Sequence, residues 1–408
     1  MTSDAGRPAG GDIDLTPYSR INETAWFAGA GAILIIFGWM FLVFMLAATT
    51  RSVGFILFLG GGTLLALLAL FIVTSIQRLS SSTAGTKRPF LLPEDRNKPV
   101  PGFGCTFGEV VDQVSALKLV PPRMTAEEAR ESERVSAGQR TRAIAFAAGG
   151  FLVVLIGLPL VLLLRLGGGL LAPAVMLVVA GMYALFNLGR RAMLQSAETV
   201  QRYDRRPPIL FLRSFRDDKV RLMQRVTIAG LPGAQGLRLE EALSFMIRGL
   251  GPFLAVGEPG EGLPQLGAAR AYLADDKWQA QVTEWIRAAR FIIMQCGPTQ
   301  WIHWEMQNII ANDRIGHLML VLPPGRRGGK ADRDRRARWD NIVRSLEATP
   351  YGPALRALDI ANLLLVQFLE DHTLRVYRSR GDVVQDYELA MNLAIYASVA
   401  GPHVRRAA

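Results

Sequence analysis

Cysteine and histidine are scarce in this chain. Only Cys105 and Cys296 are present, so no disulfide framework braces it and no CxxC pair clips a metal. The four histidines, His303, His317, His372 and His403, are scattered without a second ligand at metal spacing, which sets a metal site aside. Aromatic and basic residues do not interleave into a stripe, so a nucleic-acid partner is not expected. A nucleotide fingerprint is missing too. The loop "GEPGEGLPQLGAAR" (257–270) lacks GxGxxG, and Pro259 removes one backbone donor that a phosphate cradle would use. "GRRGGKA" (325–331) has its first glycine misplaced for a P-loop, with Ala331 where Ser or Thr belongs.

Charge is nearly absent from four long runs: Ala25–Ala48, Val53–Ile76, Ala143–Leu166 and Gly169–Leu188. A bilayer core needs about 20 apolar helical residues, and each run reaches that length. They are therefore expected to be four membrane spans, in two helical hairpins (25–76 and 143–188). The first run begins too late and runs too long for a cleaved leader. Lysine and arginine crowd the connection between the second and third runs, and Arg190 with Arg191 closes the fourth. The turns inside the two hairpins carry almost none. By the positive-inside tendency, the N-terminus, the middle segment and the C-terminal half all face the cytoplasm of a plasma (inner) membrane. The net charge of +11 suits contact with anionic headgroups.

Around these runs, residues 1–24 read as a flexible cytoplasmic tail and 77–142 as a cytoplasmic linker. Within the linker, "TAEEARESERV" opens a helix with the capping box Thr125–Glu128. Residues 189–206 read as a helical stalk ended by Pro207 and Pro208.

The remaining chain, 207–400, alternates short apolar strands with helices. "ILFLRS", "PFLAVG", "RFIIMQ" and "HLMLVLPP" are strand-like, and a fifth strand lies within 362–378. Helices are expected at 239–250, 276–289, 299–310, 335–347 and 383–399. Strands apolar throughout and separated by helices predict a parallel sheet covered on both faces. The expectation is a flavodoxin-like, doubly wound domain with a five-stranded parallel sheet.

Ligands of such sheets bind beyond the carboxyl ends of the strands. Ser214, Phe215 and Arg216 follow the first strand, with Asp217 and Asp218 as helix caps. Gly257 and Glu258 follow the second strand. After the third comes "CGPTQWIHWE", with Trp301 and Glu305; Trp278 stands on the helix before it.

Two of these segments carry a resemblance. "FLRSFRDD" (211–218) resembles the first box of Toll/interleukin-1 receptor (TIR) domains, FLSFRGED in plant members. "WIRAARFIIMQCGPTQWIHWE" (285–305) is similar to the TIR stretch that ends in W-C-x-x-E, with Trp301 and Glu305 at the matching positions. The likeness covers roughly 207–400, about one domain. It departs by one extra residue in the first box, by a long insert after the second strand, and by the lack of a clear third box.

In TIR domains that cleave NAD the glutamate of this motif is catalytic, so the resemblance implies that role for Glu305. Nicotinamide leaves as a neutral molecule from a cationic ring, so one carboxylate suffices to hold the ribose and steady the developing oxocarbenium charge. Trp301 or Trp278 would stack on a ring and Arg216 would hold a phosphate. The resemblance implies a membrane-anchored effector of bacterial type, active on self-association, with NAD or a derived nucleotide as substrate and no cofactor. The rival expectation is a non-enzymatic signalling or scaffold module that binds a nucleotide or another TIR domain and acts through the membrane bundle.

Overall fold

The computed structural model describes residues 11–18, 93–120, 124–163, 168–215, 220–222, 237–258, 265–273, 277–324, 330–381 and 383–400. The chain divides into two compact units, Arg20–Pro93 and the remainder. The first unit, Pro93 apart, lies outside the described residues, and with it the expected spans Ala25–Ala48 and Val53–Ile76.

In chain order the described elements begin with β1 (Asp12–Asp14), α1 (Pro93–Arg96), α2 (Phe107–Lys118), α3 (Ala126–Leu163), α4 (Gly168–Ala192) and α5 (Ala197–Tyr203). The α/β part follows with β2 (Ile209–Leu212), β3 (Arg221–Leu222), β4 (Leu237–Arg238), α6 (Leu239–Ile247), β5 (Phe253–Val256) and β6 (Ala269–Ala271). It continues through α7 (Trp278–Ala288), β7 (Phe291–Gln295), α8 (Gln300–Ala311), β8 (Leu318–Val321), α9 (Lys330–Ser345) and α10 (Gly352–Ala357). The hairpin strands β9 (Leu363–Phe368) and β10 (Leu374–Arg378) and the helix α11 (Val384–Ala400) close it.

The main sheet has eight strands in the order β1-β10-β9-β8-β7-β2-β5-β6, and β3 pairs with β4 separately. From β8 to β6 all pairings are parallel. β2, β7 and β8 are buried at every residue, which is why they carry no polar alternation. On one face, Leu210, Leu212, Ile292, Met294, Leu318 and Leu320 form one core with apolar residues of α7, α8, α9 and α10. On α11, contacts run to α2, α6 and β9.

The structure departs from the expected five-stranded parallel sheet at its edges. The stretch 362–378 is two strands, not one, and β9 runs antiparallel to β8. The turn between them is made by Leu369–Thr373, where His372 has φ 63° and Asp371 accepts from Thr373 N at 3.1 Å. The chain leaves α9 through α10 and climbs back to the carboxyl rim before entering β9, so that strand must descend. β6 is a further parallel strand within the Gly/Pro-rich loop after β5.

Nor is residue 1–24 wholly a tail. Asp12–Asp14 pairs in parallel with β10, burying Ile13 and then Leu15, and Asp12 binds Arg378 at 2.7 Å. Likewise the linker contains α2, capped by Thr106 and Glu109, which buries Phe107, Val110 and Val114 and packs on α11. The helical stalk is interrupted: α4 ends at Ala192, and Ser196 caps the separate helix α5.

The capping box at Thr125–Glu128 forms in both directions, at 2.8 and 3.2 Å. From it α3 runs unbroken for 38 residues, about 57 Å at 1.5 Å per residue. Among the described residues one helix, over Ala126–Gly157, is long and apolar enough to cross a membrane, against four expected. The fourth apolar run is helical as α4. These two helices pack through small residues. A Cβ on Gly157 would stand 2.9 Å from Val178 Cγ2, and one on Gly150 would stand 3.2 Å from the Met182 carbonyl.

Candidate active site

β5, β2 and β7 are neighbours, so their carboxyl ends meet on one rim. The residues just past those ends are Gly257, Ser214 and Gly297. Ser214 is buried and Phe215 is partly exposed, whereas Arg216, Asp217 and Asp218 lie outside the described residues. Gly257 donates its N–H to the Ala271 carbonyl at 2.9 Å, tying β5 to β6, and a Cβ there would meet the Tyr272 ring at 2.6 Å. Glu258 is exposed.

Glu305 stands in the second turn of α8, the helix that follows β7. Its neighbours Ile302, Met306 and Ile309 enter the core, and Glu305 goes in with them at 8% exposure. Its Oε2 has no hydrogen-bond partner among the described residues. Burial pushes the carboxyl up from 4.5 to about 8, with the Arg213 guanidinium pulling it partly back. At pH 7 the group is thus mostly the neutral acid. Ionising it there costs about 1.4 kcal/mol per pH unit below its pKa.

On β7, α8 and the neighbouring α7, Gln295 Nε2, Thr299 Oγ1 and Trp285 Nε1 are also buried without a hydrogen-bond partner among the described residues. Gln295 ends β7 and Thr299 is the N-cap of α8, yet its hydroxyl makes no capping bond. Orphaned groups of this kind are rare in folded proteins and call for an explanation. A ligand lying along β7 and the start of α8 would supply one. The intervening turn is held from α9: Asn341 Nδ2 donates to the Gly297 and Thr299 carbonyls at 3.0 and 3.4 Å, and Arg338 donates to the Cys296 carbonyl at 3.3 Å.

The charge facing Glu305 comes from a residue that sequence reasoning passed over. Arg213, between the apolar end of β2 and Ser214, is buried and lies 3.0 Å from Glu240 Oε2. Arg270, on β6, is fully buried and reaches the same oxygen at 2.8 Å. Glu240 Oε1 accepts from Ala268 N at 3.0 Å. Two guanidiniums thus share one carboxylate, and with Glu305 protonated this corner of the rim carries one positive charge. Such a balance favours an anionic ligand. Gly267 makes the arrangement possible: at φ +144° it adopts a backbone that side chains disfavour, and a Cβ there would fall 2.5 Å from Glu240 Cγ. A glutamate inside the otherwise apolar face of "LEEAL" was the available signal.

Trp278 and Trp301 come together, their rings 5.2 Å apart and edge to face, and Trp278 also packs on Trp304 at 4.8 Å. Trp278 is therefore engaged on two sides. Trp301, 49% exposed and one turn ahead of Glu305 on the same helix face, offers the free aromatic surface.

No family model, no curated protein and no solved structure matches this chain.

Proposed function

We propose that the chain is a membrane-anchored, TIR-like effector that cleaves NAD, or handles an NAD-derived nucleotide, on self-association. One observation carries the reading: a buried carboxyl with an unpartnered oxygen, Glu305, on the rim where parallel sheets bind ligands, beside the cationic Arg213. In this reading Glu305 ionises as the cationic nicotinamide ring binds, holds the ribose hydroxyls and stabilises the oxocarbenium charge as nicotinamide leaves with the bonding pair; water then adds to the same ribose carbon and releases a proton to solvent. Arg213, fixed by Glu240, binds the diphosphate, and Trp301 stacks on a ring.

Lipid is the second partner in this reading. Gly150 and Gly157 of α3 face α4, while Ile144, Leu152, Ile156, Leu160, Leu170 and Leu177 are exposed, the distribution expected of a hairpin in a bilayer. The segment 20–92 is flanked by β1 and α2, and both of these pack on the α/β part. In this reading the chain has four spans, with the N-terminus and the α/β domain cytoplasmic.

The test is release of nicotinamide from NAD by the full chain in detergent, alone and clustered on a surface. Cleavage by the wild type and a loss of about 10²–10³ in Glu305→Gln are expected. Equal turnover in both removes Glu305 from the mechanism. A second reading, a non-enzymatic nucleotide-binding module, is favoured by the neutrality of Glu305 at pH 7. It predicts saturable NAD binding with no nicotinamide released under either condition.

A further inference from the structure

A cavity of about 480 Å³ opens between the first turns of α9, the segment before β9 and the residues after β10. It lies on the carboxyl rim, because β9 starts where β8 ends: Leu322 N donates to the Leu364 carbonyl at 3.0 Å. β8 separates it from β7 and the Glu305 corner. Its walls are tied together. Arg378 Nη1 donates to the carbonyls of Asp359 and Ala361 at 2.6 and 2.7 Å, and Ser379 N donates to the Asn362 carbonyl at 2.9 Å.

Three arginines, Arg335, Arg336 and Arg380, line this space together with two acidic residues, Asp332 and Asp359. Both carboxylates are engaged: Asp359 Oδ1 accepts from Ala361 N at 3.0 Å, and Asp332 has a partner of its own. Arg335 donates an Nη2–H to the Leu363 carbonyl, and its buried Nε has no partner among the described residues. The side chains of Arg336 and Arg380 are exposed and make no hydrogen bond among the described residues. Three arginines, two on α9 and one just past β10, thus line one cavity near the N-terminal end of a 16-residue helix.

We propose that this cavity binds a phosphate group, a phosphomonoester or diphosphate, through Arg335, Arg336 and Arg380. Guanidinium forks match phosphate oxygens in pairs, and a dianion gains more from three such groups than a carboxylate does. The volume exceeds that of one inorganic phosphate and falls in the range of small-molecule sites, so the phosphate belongs to a larger ligand. That ligand is either a soluble phosphorylated compound or an anionic lipid headgroup. The site is separate from the Glu305 corner and stands whether or not Glu305 acts on NAD.

Calorimetric titration of sodium pyrophosphate into the full chain in neutral detergent tests it. Saturable binding is expected, weakened about 100-fold in Arg336→Gln/Arg380→Gln, roughly tenfold for each guanidinium removed. Both residues are exposed, so the fold tolerates the change. Arg287→Gln/Arg344→Gln removes the same charge away from the cavity and should leave binding unaltered. Equal losses in the two double variants, or a Kd weaker than about 1 mM in the wild type, would overturn the proposal. The same titration in phosphatidylcholine nanodiscs with and without phosphatidic acid identifies the source. Competition by phosphatidic acid assigns the site to a lipid headgroup, and unchanged pyrophosphate affinity assigns it to a soluble ligand.

Discussion

Glu305 sits among apolar side chains that a sequence shows only as periodicity. Ile302, Met306 and Ile309 are legible as the buried face of a helix, and Glu305 falls on that face. Its titration follows from burial, and the direction has consequences. Between pH 4.5 and about 8 the folded chain holds a proton there that the unfolded chain has released. Stability therefore falls as pH rises through that window and levels off above it. The total is on the order of a few kcal/mol at about 1.4 per unit. Thermal unfolding of Glu305→Gln should lack that slope, and identical slopes in the two proteins would mean that the carboxyl is not held neutral. If catalysis needs the anion, kcat/KM should climb with pH through about 8 and be lost below it. Glu240 holds Arg213, the cation that acts on Glu305. Replacing it by Gln leaves Arg213 and Arg270 as buried cations without their carboxylate, at a cost of about 3–5 kcal/mol. The freed Arg213 should also pull the limb to lower pH, which a rate profile of the purified variant would read. A limb that stays put would break the link between Arg213 and Glu305.

Among the elements, the parallel strands and the long helices were the most legible. "FIIMQ" and "LMLV" are apolar at almost every position because both of their faces are covered, and "TAEEARESERV" announces its helix by its cap. The short pieces were not. "DID" offers one apolar residue, and "FGEVVDQVSALK" sits in polar, Pro-punctuated sequence. Each becomes regular only when docked: β1 against β10, and α2 against α11. Phe107 is fully buried in that contact. Phe107→Ala should therefore cost about 3–5 kcal/mol and expose Glu94–Lys118 to limited proteolysis, while a substitution at exposed Leu119 changes little. Unchanged protease resistance in Phe107→Ala would mean that α2 docks by other contacts. The fifth strand shows the same limit. Its residues read as extended, but the Asp371–His372 turn makes it a hairpin, and nothing local dictates which neighbour each half takes.

At the scale of the whole molecule, the membrane reading makes a prediction of its own. A reporter after Arg191 or within 93–120 should score cytoplasmic, and one at Gly168, the first residue of α4, should score external. An external signal from the 93–120 fusion would contradict the docking of α2 on the α/β domain across any bilayer. The sequence alone was enough for whatever depends on neighbours within a turn or two: the apolar helices α3 and α4, strands buried on both faces, the Thr125 cap, and the placing of Ser214, Gly257 and Glu305 on one rim by element order. The tertiary structure decided whatever joins residues distant in the chain. It set the descent of β9, the docking of the N-terminal strand, the shared carboxylate of Arg213 and Arg270, and the arginines gathered from α9 and the end of β10. Those depend on long-range packing and on the local dielectric, and neither has a periodicity that a sequence can display.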